Sequence, residues 1–300
     1  MSKMIYWFRH DLRLSDNPAL IYACNNAVQL ITVYVHPVET DPFTVWGMAR
    51  TGLHRQRFLA DTLADLATQL AKRGCRLIQL SGKPQDVLPT FAQALGVTTV
   101  VCETIAAPQE EAEITALRGA DIAVKTFWQS SLLDPAALPF LVERLPDVFA
   151  NFKQAVERDQ IVPPRPLAIP AIFPPLPDFP AHITDFKDTS ALPAPVTDTR
   201  SSFPYQQPAF AGGETAAMAH VEQYFLGKLA HNYKATRNGL TGIDYSTKFS
   251  PWLATGALSA RTIYSALKRF ENEHGANDGS YWIWFELLWR DYFRLLHLKY

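Results

Sequence analysis

Cysteine, glycine-rich loops and long apolar runs are all scarce in this 300-residue chain. Its three cysteines, Cys24, Cys75 and Cys102, stand alone, with no CxxC pair and no clustered histidines. That pattern excludes a zinc site and a disulfide framework, and a reducing compartment is the expectation. No apolar run approaches the roughly 18 residues of a membrane span. The opening MSKMIYWFRHD has charges where a signal peptide needs an apolar stretch. A soluble, cytoplasmic protein without membrane contact is therefore expected. Neither GxGxxG after the first strand nor GxxxxGKS/T occurs, which removes the dinucleotide-dehydrogenase and P-loop readings. Ser81-Gly82-Lys83-Pro84 comes nearest to a phosphate loop, and a turn closed by Gly and Pro is the favoured reading. No internal repeat is present.

The chain does have 48% apolar residues, ample for buried cores, and a length suited to about two domains. Short apolar segments at Met4–Phe8, Gln29–His36, Arg76–Leu80, Thr98–Glu103 and Ile122–Phe127 show little polar alternation. Strands of that kind are covered on both faces. Helical spacing separates them at Gly47–Arg73, Gln85–Leu95 and Gln109–Leu117. The alternation predicts a doubly wound α/β domain with a parallel sheet over residues 1–130. Pro18, after the polar turn Arg9–Asn17, suits a first helical position.

Between Pro163 and Pro208 lie 12 of the 22 prolines. Proline lacks the donor for helix or central strand, so residues 131–212 read as an extended connector. Its Ile, Phe and Leu side chains imply that it lies against the domains. Beyond Gly213 helices are expected at Glu214–Leu229, Ser259–His274 and Tyr281–Lys299, which makes 213–300 a helical region. From His220 onward 10 Lys/Arg face 7 Asp/Glu, a mildly basic balance that permits a polyanionic partner. The helical pattern reaches Tyr300 without a stop signal, so a truncated helical domain is expected.

Two segments are candidates for chemistry. In Tyr245–Trp252, Ser250 and Pro251 look like an N-cap and N1 proline, with Ser246, Thr247 and Lys248 just before them. A plain helix cap and a diphosphate cradle both fit. From Tyr281 to Tyr300, 8 of 20 residues are aromatic. Helical spacing puts Glu286, Trp289, Arg290 and Phe293 on one face. A buried structural ion pair and a site that stacks a base both fit.

The opening YWFRHDLRLSDNPAL resembles the start of photolyases and cryptochromes, as do GGETAAMAHVEQYF, NYKATRNGLTGIDYSTKFSPWLATGALSAR and ANDGSYWIWFELLWRDYFR. The forms YSTKFSPWLA and ELLWRDYFR are most similar to DASH cryptochromes. The resemblance implies a Rossmann-like antenna domain, a connector and an all-helical FAD domain. It implies a blue-light flavoenzyme, of deoxyribodipyrimidine photolyase type, that splits cyclobutane pyrimidine dimers in DNA, with single strands preferred. A signalling photoreceptor and a flavin-poor truncated binding module are the alternatives. A monomer is expected.

By residue, the resemblance implies that Tyr233 contacts the FAD phosphates and that Ser246, Thr247, Lys248, Phe249 and Ser250 form the diphosphate loop. Glu286 would reach both flavin and lesion, its carboxyl kept protonated by an apolar pocket. Trp289 would pack against the dimer, and Arg290 would lie near flavin and DNA. Glu103 and Glu110 fall where a folate antenna, 5,10-methenyltetrahydrofolate, is contacted. The turn ETIAAPQEE departs from the tighter glutamate-rich form of DASH relatives.

Overall fold

The structure, a computed structural model, describes residues 2–38, 43–120, 122–179 and 201–300. Five strands, β1 (Ser2–Phe8), β2 (Ala27–His36), β3 (Leu77–Ser81), β4 (Thr99–Glu103) and β5 (Ala123–Phe127), pair in the order β3-β2-β1-β4-β5, all parallel. The expected α/β class and parallel sheet are thus present. Alternate residues of β1 feed opposite cores, as the two-residue period of a strand requires. Met4, Tyr6 and Phe8 face the core shared with α1 (Pro18–Asn26) and α2 (Leu53–Ala71). Ile5 and Trp7 face the core shared with α3 (Pro84–Leu95) and α4 (Pro108–Gly119).

Local chemistry sets the helix starts. Pro18 occupies the first turn of α1, as the sequence implied, and Asn17 before it accepts from the Leu20 N–H. Ser81–Pro84 is a turn: Gly82 has φ 144° and Pro84 opens α3. The helix expected from Gly47 begins only at Leu53, because residues 43–49 close a small antiparallel bridge between Phe43 and Ala49.

The second body is helical and surrounds Trp252, which is fully buried. It contains α5 (Phe149–Arg158), α6 (Glu214–Leu226), α7 (Leu229–Thr236), α8 (Ser250–Thr255), α9 (Ala260–His274) and α10 (Asp278–Lys299). The single helix expected over 214–229 breaks at Gly227, giving α6 and α7. The stretch read as connector holds α5, whose Phe149, Phe152 and Val156 enter this helical core together with Leu132 and Leu133. Residues 161–179 are extended and lie along the sheet. Leu167 O accepts from the Asp16 N–H and its own N–H donates to the Asp16 carboxylate, the Leu30 N–H donates to Pro175 O, and Phe173 and Leu176 pack on opposite cores.

The two bodies meet at the loop after β1. Asp16 is buried and holds both the Ser259 hydroxyl and the Arg261 guanidinium, the latter at 2.8 Å. Glu214, in the first turn of α6, accepts from the Leu14 and Ser15 N–H groups at 2.7 and 3.0 Å. Gly256, at φ 72°, ends α8 where a Cβ would overlap the His10 carbonyl. Only glycine tolerates both conditions.

Candidate functional site

The helix α10 starts with a capping box between Asn277 and Ser280, so its register is fixed at the first turn. That register turns Glu286 toward the end of α7, where Oε1 lies 2.6 Å from Arg237 Nη1. Both side chains are about one-third exposed, and the Arg237 guanidinium also covers the Trp282 ring at 4.2 Å. Glu286 therefore sits in a half-open ion pair instead of the apolar pocket expected for it. Tyr233, one turn before Arg237, is buried. Burial and the neighbouring Glu286 charge push its hydroxyl up to about 12. Arg237 was missed by the sequence reading, although its position four residues after Tyr233 is a signal that helical spacing supplies.

Trp289 points to α5. Its ring stacks on Phe149 with centroids 3.6 Å apart and planes at 15°, and on Phe293 at 5.5 Å. Arg290 turns to the seam between the bodies and donates to Ser130 O at 2.6 Å and Leu253 O at 3.3 Å. Removal from water, with Arg294 alongside, lowers its pKa to about 10. Thus Glu286, Trp289 and Arg290 share one flank of α10 but engage α7, α5 and the seam respectively. Asp291, unnoticed in the sequence, is fully buried and accepts from the Leu132 and Leu133 N–H groups at 2.8 and 2.7 Å.

The loop Tyr245–Ser250 leads into α8, with Phe249 at the cap position and Ser250 as the first helical residue. The Ser250 hydroxyl is not a cap, contrary to expectation, because the helix starts one residue earlier than Pro251 suggested. Lys248 has φ 56°, an uncommon backbone for a side-chain-bearing residue. Its ammonium is buried without a hydrogen-bond partner and lies 3.5 Å from the Tyr245 ring centroid. No hydrogen bond among the described residues engages the Ser246, Thr247 or Ser250 hydroxyls, while the Thr247 carbonyl takes the His220 ring at 2.9 Å. A buried cation that meets only the Tyr245 ring and no carboxylate among the described residues can also take an anionic group such as a diphosphate. Beside the loop, a cleft of about 870 Å³ is bordered by Ser246, Asp244, His220, Tyr224 and Phe210. Tyr233, Glu286, Trp289 and Arg290 do not border it.

A second cleft, about 920 Å³, opens beyond the carboxyl ends of β1 and β2, where doubly wound sheets place ligands. Trp7, Arg9, Tyr34, Lys83 and Glu110 border it. Glu103 does not: it is fully buried behind the cleft and faces Arg294 of α10 at 3.4 Å. The two glutamates stay neighbours, since Arg9 donates to both their backbone carbonyls at 3.2 and 3.1 Å, but only Glu110 borders the cleft.

Comparison with known proteins now bears on these features. The family model described as DNA photolyase matches residues 4–172. The chain belongs to the DNA photolyase family. Within this family it is 38% identical to Cryptochrome DASH of Gloeobacter violaceus, over 99% of this chain and 59% of that protein. It is 40% identical to Cryptochrome DASH of Xenopus laevis, over 99% of this chain and 57% of that protein. The crystal structure of the Synechocystis sp. PCC6803 cryptochrome superposes with TM-score 0.91 at 36% identity, covering all of this chain and 62% of that one. The chain thus spans about 60% of these photolyase-family relatives. Among the described residues, no helix is long and apolar enough to cross a membrane.

Proposed function

We propose that this chain forms the antenna domain and the first part of the FAD domain of a DASH-type, blue-light-driven enzyme that splits cyclobutane pyrimidine dimers, with single-stranded DNA preferred. The observation that carries this reading is the buried ammonium of Lys248, which rests on the Tyr245 ring and meets no carboxylate among the described residues, in a loop that also carries the hydroxyls of Ser246, Thr247 and Ser250. Family membership and the Cryptochrome DASH relatives support it. In this reading Tyr233, Ser246, Thr247, Lys248 and Ser250 hold the flavin diphosphate, and Phe249 packs behind them. Reduced FAD, when bound, supplies under blue light the electron that opens the dimer and then recovers it. Glu286 and Arg237 offer an acceptor and a donor side by side to a base edge, and Trp289 offers an aromatic face. Arg290 lies near flavin and DNA in this reading, and its bonds to Ser130 O and Leu253 O position the helix that bears Glu286 and Trp289. The antenna reading, a folate, rests on Glu110 beside the larger cleft. The division into 1–130, 131–212 and 213–300, a monomeric state and a cytoplasmic location belong to the same proposal.

The stacking of Trp289 on Phe149 and Phe293 favours a second reading, a photoreceptor that repairs nothing, because the ring is already engaged by its neighbours. The test is the chain supplied with FAD, photoreduced, and mixed with ultraviolet-irradiated oligothymidylate under blue light. Loss of dimers in the light and not in the dark supports repair. Flavin uptake with unchanged dimers supports the receptor. A colourless chain, with Lys248→Ala indistinguishable from the parent in FAD titrations, overturns the flavin assignment.

A further inference from the structure

Seven buried side-chain polar atoms among the described residues lack a hydrogen-bond partner, and four converge on one place. They are Glu103 Oε2 at the end of β4, Ser130 Oγ and Trp128 Nε1 after β5, and Arg13 Nε in the loop after β1; none makes a well-formed hydrogen bond, although the Ser130 hydroxyl lies near enough to Glu103 to act on its carboxyl. Three separate chain segments thus bring unsatisfied donors and an acceptor to the seam under α10. The fourth wall is Arg294, which donates to Ser131 Oγ at 3.1 Å, reaches Glu103 Oε1 at 3.4 Å and lies 5.1 Å from the Trp128 ring centroid. Orphaned buried polar atoms each cost about 1–3 kcal/mol, so a native fold rarely leaves four together dry. Clustered polar atoms are the surroundings in which internal water is found.

The charges around Glu103 complete the picture. From the loop after β1 come Asp11 and Arg13, and Arg9 Nη1 bonds the Glu103 carbonyl at 3.2 Å. Its own strand adds the neighbouring Cys102 thiol. From α10 come Arg294, with Arg290 and Asp291 behind it. Burial, reinforced by Asp11, raises the Glu103 carboxyl to about 7, against the opposing pull of Arg294, Ser130 and Arg13. We propose that the seam is a hydrated polar junction in which Glu103 exchanges a proton with internal water, so that the ion pair tying α10 to the sheet is made and unmade while the two bodies stay docked. The other ties across the seam, Asp16 to Arg261 and Glu214 to the Leu14 and Ser15 N–H groups, do not involve Glu103 and keep the bodies together.

Trp128 is the local reporter, because the Arg294 guanidinium rests over its ring. The full chain labelled with 5-fluorotryptophan is titrated by fluorine NMR from about pH 5 to 9, with Trp128 assigned by its loss in Trp128→Phe. The Trp128 resonance should shift in one step centred near neutrality, consistent with a raised carboxyl. Glu103→Gln should abolish that step. Arg294→Gln, which removes the nearest cation, should move the midpoint upward, and it keeps the proposal testable where Glu103→Gln does not fold. A flat titration, a step that survives Glu103→Gln, or a midpoint that falls in Arg294→Gln overturns the proposal. A high-resolution crystal structure should show water bonded to Glu103 Oε2 and Ser130 Oγ, and a dry seam overturns the hydrated junction.

Discussion

Two carboxylates on α10 lie one and a half turns apart and face opposite conditions. Glu286 is one-third exposed and pairs with Arg237, an arrangement worth about 0–1 kcal/mol in water. Asp291 is buried and satisfies two backbone donors, which Asp291→Ala would orphan at about 2–5 kcal/mol in total. Urea melts should therefore show Glu286→Ala close to the parent and Asp291→Ala strongly destabilised. In the dimer-splitting assay the order reverses per folded molecule, with Glu286→Ala the more damaged. A large loss of stability in Glu286→Ala would assign that residue to the scaffold. Lys248 supplies the complementary case. Its left-handed backbone and a buried charge that meets only the Tyr245 ring both work against the ligand-free fold. Lys248→Gly should raise the melting temperature of the flavin-free chain while weakening FAD in a fluorescence titration. A lower melting temperature would mean that the ammonium is satisfied within the fold.

Among elements, α7 and α10 form the pair on which the candidate site depends. Gly279, in the first turn of α10, faces the carbonyls of Ala230 and His231 so closely that a Cβ would overlap them. Gly279→Ala should push the helices apart, costing about 1–3 kcal/mol or more, and should separate Arg237 from Glu286. Hydrogen exchange should then show α7 losing protection before β1, and equal protection would place the contact outside the stability of this pair. The helix α8 teaches a different lesson. Ser-Pro reads locally as cap and N1, yet the chain enters helical geometry at Ser250 because the buried Phe249 and Trp252 are both anchored in the helical core. Propensity yields to packing at such ends.

At the scale of the whole molecule, the loop after β1 and the face of α10 join sheet to helices through buried charge. This has a pH signature. The Glu103 carboxyl is raised from 4.5 to about 7, so the folded chain holds a proton that the unfolded chain has already lost between these limits. Stability from this group is complete below about pH 4.5 and is lost as pH rises through about 7. Unfolding free energy of the parent, measured against Glu103→Gln across that window, should fall with rising pH relative to the variant. A parallel pair of profiles would mean that Glu103 titrates alike in both states.

The α/β class, the strand positions to within a few residues, and the helical texture after Gly213 were legible in the sequence, because strand and helix periods are properties of neighbouring residues. The aromatic α10 and the hydroxyl-rich loop before α8 were legible as candidates for the same reason. What each residue touches was decided elsewhere. Glu286 meets Arg237 only because Gly279 lets α7 approach, and Trp289 meets Phe149 because α5, just before the proline-rich stretch, packs into the helical core. Glu103 and Glu110 share the Arg9 guanidinium through their carbonyls, yet one side chain faces Arg294 and the other the cleft, because β4 ends at one and α4 carries the other. Pairing of charges in a low-dielectric seam depends on segments far apart in the chain, brought together by the burial of apolar surface. Local sequence determines the elements and the chemistry they can offer, and tertiary packing alone decides which groups are paired, buried or left free for a ligand.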